Sequence, residues 1–275
     1  MSEIEWKDGA SGFLETDRGR IEFACHGPAP DNAPTVVMLH EGLGSVSAWK
    51  DFPQVLAEQT GLGVFVYSRF GYGRSSTVTL PRPIDYQSQE AKEILPLVLD
   101  RIGFRSGILL GHSDGATMAA IYAGSFQDHR VRGLILLAPH FFCEDISVEG
   151  IAAAKEAYED GDLKSGLARH HDDPDTAFYG WNDTWLDPEF RNWNVSEVID
   201  YLRIPVLAIQ GRDDQYGTLA QIDEIEQRIY SPVDTVILDK CGHWPHREKR
   251  EETLSAITEF SERLLRIERE QVAVA

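Results

Sequence analysis

Ile108-Leu109-Leu110-Gly111-His112-Ser113-Asp114-Gly115-Ala116 combines an apolar run, a Gly-x-Ser-x-Gly turn and a small-residue start to the next segment. The apolar run is typical of a buried strand, and residues 116–123 are typical of a helix. A serine in so tight a turn lies on strained backbone, and only small flanking residues let the helix pass close to the strand. The stretch therefore predicts a strand-to-helix turn that presents the hydroxyl of Ser113 at the end of a sheet.

Outward from this turn, apolar runs and helical patterns alternate along the chain. Residues 13–16 and 21–25 predict an antiparallel edge hairpin, and six further strands are predicted at 35–39, 64–67, 108–110, 131–138, 205–210 and 235–238. Intervening helices are predicted at 52–60, 86–101, 116–123, 219–229 and 251–269, with a kink at Pro96. This alternation predicts an α/β fold with a mostly parallel, eight-stranded sheet and helices on both faces.

Residues 140–202 differ in composition from the rest of the chain. Between positions 140 and 200 there are 15 acidic and four basic residues, and three of the six tryptophans lie there: Trp181, Trp185 and Trp193. The pattern is helical at 148–159 and 163–171 and contains no buried-strand run. We therefore predict a helical lid at 140–202, inserted into a core domain formed by residues 1–139 and 203–275.

Composition limits the partners and the location of the protein. A net charge of −19 repels nucleic-acid phosphates and anionic lipid surfaces. No apolar run approaches the ~20 residues that span a bilayer, and the first residues lack a signal-peptide pattern. Three cysteines far apart in sequence favour reduced thiols over a disulfide framework. We expect a cytoplasmic protein, a monomer or homodimer, without nucleic-acid or membrane partners.

A nucleophilic serine requires a base and an acid, and the sequence contains a candidate for each after the later predicted strands. A serine hydroxyl is a weak nucleophile until a histidine takes its proton, and that histidine must be oriented by an acceptor. His243 follows the last predicted strand and Asp214 follows the strand before it. In a parallel sheet both loops emerge at the edge where Ser113 lies. The order serine, acid, histidine is the one that α/β-hydrolases use.

The chain resembles α/β-hydrolase-fold serine hydrolases, in particular small lidded esterases and hydrolases of meta-cleavage products. The resemblance is carried by five ordered motifs: His40-Glu41-Gly42-Leu43-Gly44-Ser45, Gly71-Tyr72-Gly73-Arg74-Ser75, Gly111-His112-Ser113-Asp114-Gly115, Gly211-Arg212-Asp213-Asp214 and Cys241-Gly242-His243. It implies a nucleophile at Ser113, a base at His243 and an acid at Asp214, with Asp213 as the alternative. It also implies an oxyanion hole from the backbone N–H groups of Gly42 and Asp114, although Glu41 replaces the glycine usual in the first motif.

These assignments predict a serine hydrolase that cleaves an ester, lactone or thioester of a small neutral substrate through an acyl-enzyme. No metal or organic cofactor is required for that reaction. Carbon-carbon hydrolysis of meta-cleavage products, or a related pyruvate-eliminating reaction, is the alternative within the fold. A non-catalytic ligand receptor is the alternative outside enzymes.

Several other residues allow more than one interpretation. Glu41 is expected to line the substrate pocket, and Asp114 either repels anions there with Glu41 or acts as a carboxylate at a helix N-terminus. Trp181 and Trp185 are expected either to pack in the core or to line an apolar acyl pocket. Arg69 is a candidate for gripping a substrate carboxylate, and residues 170–173 favour a solvated helix end over a metal site.

Overall fold

One sheet runs through the part of the chain that the structure, a computed structural model, describes: residues 4–274, with side chains for 4–266. Its strands are β1 (Ser11–Thr16), β2 (Gly19–His26), β3 (Thr35–Leu39), β4 (Gly63–Tyr67), β5 (Gly107–His112), β6 (Val131–Leu137), β7 (Val206–Gly211) and β8 (Val233–Leu238). Their order is β1-β2-β4-β3-β5-β6-β7-β8, and all neighbours beyond β4 pair in parallel. The predicted eight-stranded, mostly parallel sheet is confirmed.

Helices cover both faces of this sheet. Those in the described residues are α1 (Phe52–Thr60), α2 (Tyr86–Gln89), α3 (Leu95–Arg101), α4 (Asp114–Ser125), α5 (Asp145–Glu159), α6 (Leu163–Leu167), α7 (Pro174–Leu186), α8 (Ala220–Arg228), α9 (Pro245–Glu248) and α10 (Arg250–Val274). In β3, Val36 and Met38 pack in the layer that contains α1 and α10, whereas Val37 and Leu39 pack in the layer that contains α3, α4 and α8. Burial on both faces explains why this strand is apolar throughout. No helix among the described residues is long and apolar enough to cross a bilayer.

The helix predicted at 86–101 is divided in the structure. A π-helical turn, Glu90–Ile94, separates α2 from α3. Pro96 has no N–H to give to the preceding turn, and proline is well tolerated in the first turn of a helix. The predicted kink therefore takes the form of a wider turn, after which α3 restarts with Pro96 in its first turn.

A helical insertion connects β6 to β7. It contains α5, α6 and α7 and no strand beyond an isolated bridge between Phe142 and Asn194. The sequence predicted α5 and α6 but not α7, and α6 ends at Leu167 rather than at 171. The sequence did contain a start signal for α7, an aspartate followed by a proline. In the structure Asp173 is the N-cap, its Oδ1 accepts from Thr176 N at 3.0 Å, and Pro174 occupies the first helical position.

His171 attaches the insertion to the sheet domain. Its Nδ1 accepts from Gly73 N at 2.9 Å and its Nε2 donates to Leu43 O at 3.0 Å. The predicted solvated helix end is therefore wrong for His171, which is buried because two loop backbone groups need its ring as a partner. The described side chains contain no group of three or more potential metal ligands.

Candidate active site

Ser113 lies in a strained turn between β5 and α4. Its backbone has φ 52° and ψ −118°, a conformation that non-glycine residues rarely adopt. A Cβ on Gly111 would lie 2.2 Å from Gly115 O, and one on Gly115 would lie 2.2 Å from Leu39 O. The two glycines thus allow α4 to cross against β5 and β3, as the Gly-x-Ser-x-Gly pattern requires.

Asp214 and His243 contact each other at the ends of β7 and β8. His243 Nδ1 donates to Asp214 Oδ2 at 2.8 Å, with Oδ1 at 3.0 Å. Asp214 also accepts from Gln210 Nε2 and Tyr216 N, both at 2.8 Å, which fixes the carboxylate. Burial raises the pKa of Asp214, but the charge and hydrogen bond of His243 hold it below its ordinary value. Asp213, the alternative acid, is exposed and does not contact the imidazole.

Ser113 and His243 line the same cavity between the sheet edge and the insertion. No hydrogen bond joins the two side chains among the described contacts. The remaining wall is largely apolar and comes from both the sheet domain and the insertion: Glu41, Gly42, Leu43, His140, Ser147, Ile151, Trp181, Trp185, Tyr216 and Trp244.

Two backbone N–H groups near Ser113 have no acceptor among the described residues. Gly42 follows β3, and Asp114 is the first residue of α4. Neither amide donates to an acceptor elsewhere in the described residues, so both are available to an anion. Trp181 covers the first of these loops, because a Cβ on Gly42 would lie 2.2 Å from Trp181 Nε1. A side chain at position 42 would therefore collide with the insertion.

The Asp114 side chain points away from the cavity. It is 1% exposed, accepts from Gln87 Nε2 at 3.0 Å and from Tyr86 Oη, and lies 3.8 Å from Arg69 Nη1. The expectation that it repels anions at the pocket mouth is therefore wrong, because the first turn of α4 directs the carboxylate towards α2. Its place in that first turn fits the alternative role as a carboxylate at a helix N-terminus.

Arg69 has a structural rather than a substrate-gripping position. Its side chain is fully buried, and Nη2 donates to Glu41 O at 2.8 Å. His40 Nδ1 donates to the same carbonyl at 2.7 Å while its Nε2 accepts from Arg69 N at 3.0 Å. The guanidinium therefore holds the loop after β3, and the suggestion that it grips a substrate carboxylate is wrong.

Glu41 places a carboxylate in the cavity wall. Its side chain is 14% exposed and its Oε2 lies 3.7 Å from His112 Nδ1. Burial pushes the pKa of Glu41 upward, but His112 and the charge of Arg247 hold it well below its ordinary value. His112 Nε2 in turn donates to His243 O at 2.6 Å, which connects this wall to the loop of the imidazole.

The insertion supplies the aromatic wall. Trp181 and Trp185 lie on α7, and Trp185 Nε1 donates to Tyr86 Oη at 3.1 Å. Both line the cavity and also pack in the hydrophobic core, the two positions that the sequence left open. His140, Tyr216 and Trp244 also line the cavity and were not predicted from the sequence. All three lie at the sheet edge that was predicted to carry the site. His140 comes soon after a strand, Tyr216 is close to Asp214 in sequence, and Trp244 is next to His243; these positions were the available signal.

Comparison with known proteins identifies the family. A family model described as the alpha/beta hydrolase family matches residues 36–256, well over half of the chain. The chain belongs to the alpha/beta hydrolase family. The predicted family resemblance is thereby confirmed, and membership supports a hydrolytic enzyme.

Individual relatives within the family have different activities. A bifunctional esterase/perhydrolase from Acinetobacter calcoaceticus is 24% identical over 237 residues, which cover 74% of this chain and 82% of that protein. The crystal structure of a proline iminopeptidase from Mycobacterium smegmatis has a TM-score of 0.74 at 19% identity, covering 93% of this chain and 98% of that one. The 2-hydroxy-6-oxo-6-phenylhexa-2,4-dienoate hydrolase from Rhodococcus sp. strain RHA1 has a TM-score of 0.76 at 16% identity, covering 91% and 97%. The two structural likenesses show the alpha/beta hydrolase fold and do not choose a substrate.

Proposed function

We propose that the protein is a serine hydrolase that cleaves esters, including lactones or thioesters, of small neutral substrates through an acyl-enzyme on Ser113. One observation carries the proposal. Asp214 holds the Nδ1 side of His243, and the imidazole and Ser113 line one cavity. A fixed acid, an oriented base and a serine on strained backbone are the parts from which this family builds an activated alcohol.

The reaction begins when His243 Nε2 takes the proton of Ser113 as its oxygen attacks the substrate carbonyl carbon. The N–H groups of Gly42 and Asp114 stabilise the negative oxygen, and one such donor typically contributes about 10²- to 10³-fold to kcat. The tetrahedral intermediate then expels the alcohol, which receives the proton from His243. Water repeats the attack on the acyl-enzyme with the same base, releases the acid and restores Ser113.

Charge in the cavity supports a neutral acyl substrate. Glu41 is ionised where it lines the wall, and an anionic group beside it would be disfavoured in this partly desolvated site. Residues 140–202 carry an excess of acidic residues, and this net negative charge disfavours the approach of an anion. We infer that these residues act as a cap over the core of residues 1–139 and 203–275, because α7 places two tryptophans in the cavity.

A substrate panel tests the proposal directly. We expect the wild-type protein to hydrolyse neutral 4-nitrophenyl esters, with an optimum among short acyl chains, and the Ser113→Ala variant to be inactive on all of them. The same assay includes one coloured, carboxylate-bearing meta-cleavage dienolate. Rapid loss of the dienolate with slow ester turnover would replace ester hydrolysis by carbon-carbon hydrolysis. No turnover of either class would favour a ligand receptor.

A further inference from the structure

A second histidine, His140, faces the cavity and has no task in the reaction above. It follows β6 at the same sheet edge as Ser113, and its ring centre lies 5.7 Å from that of His243. The side chain is 2% exposed and belongs to the cavity wall. It is therefore placed to touch whatever occupies the cavity.

The ring nitrogens of His140 have no partner within the described residues. Nδ1 is buried without a hydrogen bond on the side of the ring that packs against Gly217. Nε2, on the other side of the ring, has no hydrogen bond among the described contacts. Among the other buried histidines, His40 and His171 each use both ring nitrogens, whereas His112 and His246 also have an unpartnered Nδ1 but do not line the cavity. Burying unmet hydrogen-bonding capacity costs free energy, so such a group calls for a functional explanation. A partner that enters the cavity would provide one.

The protein fixes the backbone at His140 and packs closely against its ring. Thr117 Oγ1 donates to His140 O at 2.5 Å, and the next amide, Phe141 N, donates to Gln221 Oε1 at 2.7 Å. Two residues earlier, Ala138 has φ 47°, a strained conformation of the kind that occurs at functional sites. Gly217 leaves room for the ring, because a Cβ there would lie 2.8 Å from His140 Cε1. Such preorganisation favours specific recognition over loose packing.

The chemistry of the ring selects an uncharged partner. Burial, with the nearby charge of His243, lowers the pKa of His140 to about 3, so the imidazole is neutral at ordinary pH. A neutral imidazole offers one donor and one acceptor. A hydroxyl group also donates and accepts, and it therefore pairs with either tautomer. Trp185, whose ring centre lies 5.5 Å away, provides an apolar surface for the adjoining carbon atoms.

We propose that His140 hydrogen-bonds an uncharged oxygen-bearing group of the substrate, a hydroxyl in the simplest case, and thereby selects hydroxylated esters over their deoxy analogues. This inference rests on the proposed ester hydrolysis. The hydroxyl belongs either to the acyl part or to the alcohol part of the substrate, and the experiment separates these two cases.

The experiment compares matched ester pairs. In the acyl arm, 4-nitrophenyl butanoate is compared with its 3-hydroxy derivative; in the alcohol arm, ethyl butanoate is compared with 2-hydroxyethyl butanoate. We expect the wild type to favour the hydroxylated member in one arm, and His140→Phe to lower that ratio of kcat/KM values about tenfold, as expected for one neutral hydrogen bond. His140→Asn, whose amide donates and accepts, should restore part of the ratio.

The matched control is His246→Phe. His246 is also 2% exposed and has an unpartnered Nδ1, but it packs on Trp49 and Phe52 and does not line the cavity. We expect this variant to lose stability without a change in the hydroxyl ratio. Equal ratios in wild type and His140→Phe in both arms would overturn the inference, as would the absence of any hydroxyl preference in the wild type.

A measurement on an intact His140 keeps the inference testable if His140→Phe does not fold. In the Ser113→Ala variant, the ¹⁵N resonances of the His140 ring should shift on addition of the preferred hydroxylated ester and not with its deoxy analogue. Identical responses to both esters would overturn the assignment. Failure of the proposed function looks different, because the wild type would then hydrolyse no ester at all.

Discussion

The sheet domain and the helical insertion build the two halves of one cavity by different means. At the sheet edge, each group to which we assign a catalytic role follows a strand, and the backbone fixes it: Ser113 by its strained turn, Asp214 by the amide of Tyr216. In the insertion, α7 contributes two large aromatic side chains to the cavity wall. The difference separates two tasks. The sheet edge would determine whether a bond is broken, and the insertion would determine which substrates fit.

The first prediction concerns the residue of the sheet domain whose replacement should have the largest effect on activity. Ser113→Ala should reduce ester hydrolysis by about 10⁴-fold or more, because the nucleophile is lost while the cavity keeps its shape. The measurement is kcat/KM on the best neutral ester of the panel. Ser196→Ala, which alters an equally buried serine of the insertion outside the cavity, serves as the control. Comparable losses in both variants would remove the distinction between the two halves.

The second prediction separates two neighbouring carboxylates of the sheet edge. Asp214→Asn should reduce kcat by about 10³- to 10⁴-fold, because the amide cannot hold the correct tautomer of His243. Asp213→Asn should change kcat by no more than a few-fold, since that side chain is exposed and does not contact the imidazole. A larger loss of kcat in Asp213→Asn than in Asp214→Asn would show that Asp213, and not Asp214, is the acid.

The third prediction tests the contact between the halves. Gly42→Ala should lower kcat/KM by about 10²-fold, because the new Cβ collides with Trp181 Nε1 and disturbs an oxyanion donor. Removing the indole in the double variant Gly42→Ala/Trp181→Ala should recover part of the activity. Additive losses in the double variant would show that the insertion does not press on this loop.

The fourth prediction concerns stability and compares one carboxylate from each region. Burial raises the pKa of Asp128 in the sheet domain, but hydrogen bonds from Arg130 and Tyr122 lower it to about 2. Because the folded-state pKa is depressed, its stabilisation is present at neutral pH and is lost as pH falls from about 4 to about 2. With solvent screening, Asp128→Asn should cost about 1 kcal/mol of unfolding free energy near pH 7.

The matched carboxylate in the insertion is Asp175. Its pKa is lowered by the hydrogen bonds of Lys164 and Tyr158, but the group is largely exposed. Asp175→Asn should therefore have the smaller effect in the same denaturation experiments. The difference between wild type and Asp128→Asn should shrink at low pH. A cost that is independent of pH would show that the ionised carboxylate is not what stabilises the folded state.

The sequence predicted the sheet well because its strands carry a local signal. Burial on both faces makes the centres of β3 and β5 apolar, at residues 36–39 and 108–110. The glycines around Ser113 form a short pattern that can be recognised without knowledge of the distant groups they contact. By contrast, the divided helix around Pro96 depends on how the backbone redistributes a missing hydrogen bond. The sequence predicted the position of the kink but not the π-helical turn that forms there.

The insertion and the orientation of site side chains were harder to predict, because they depend on contacts distant in sequence. The direction of Asp114 is set by Tyr86 and Gln87, and the burial of His171 is set by the Gly73 loop. His140 belongs to the same class, since an unpartnered ring is visible only once its neighbours are in place. The type of an ionisable residue indicates which chemistry it can perform, whereas its contacts with distant residues determine the direction and burial of its side chain.

Fluorophosphonate labelling followed by peptide mass mapping tests whether His243 makes Ser113 nucleophilic. We expect one adduct per chain, located on Ser113, with a labelling rate at least about 10²-fold lower in His243→Ala. An adduct on a different serine, or the same labelling rate in His243→Ala as in the wild type, would contradict this expectation.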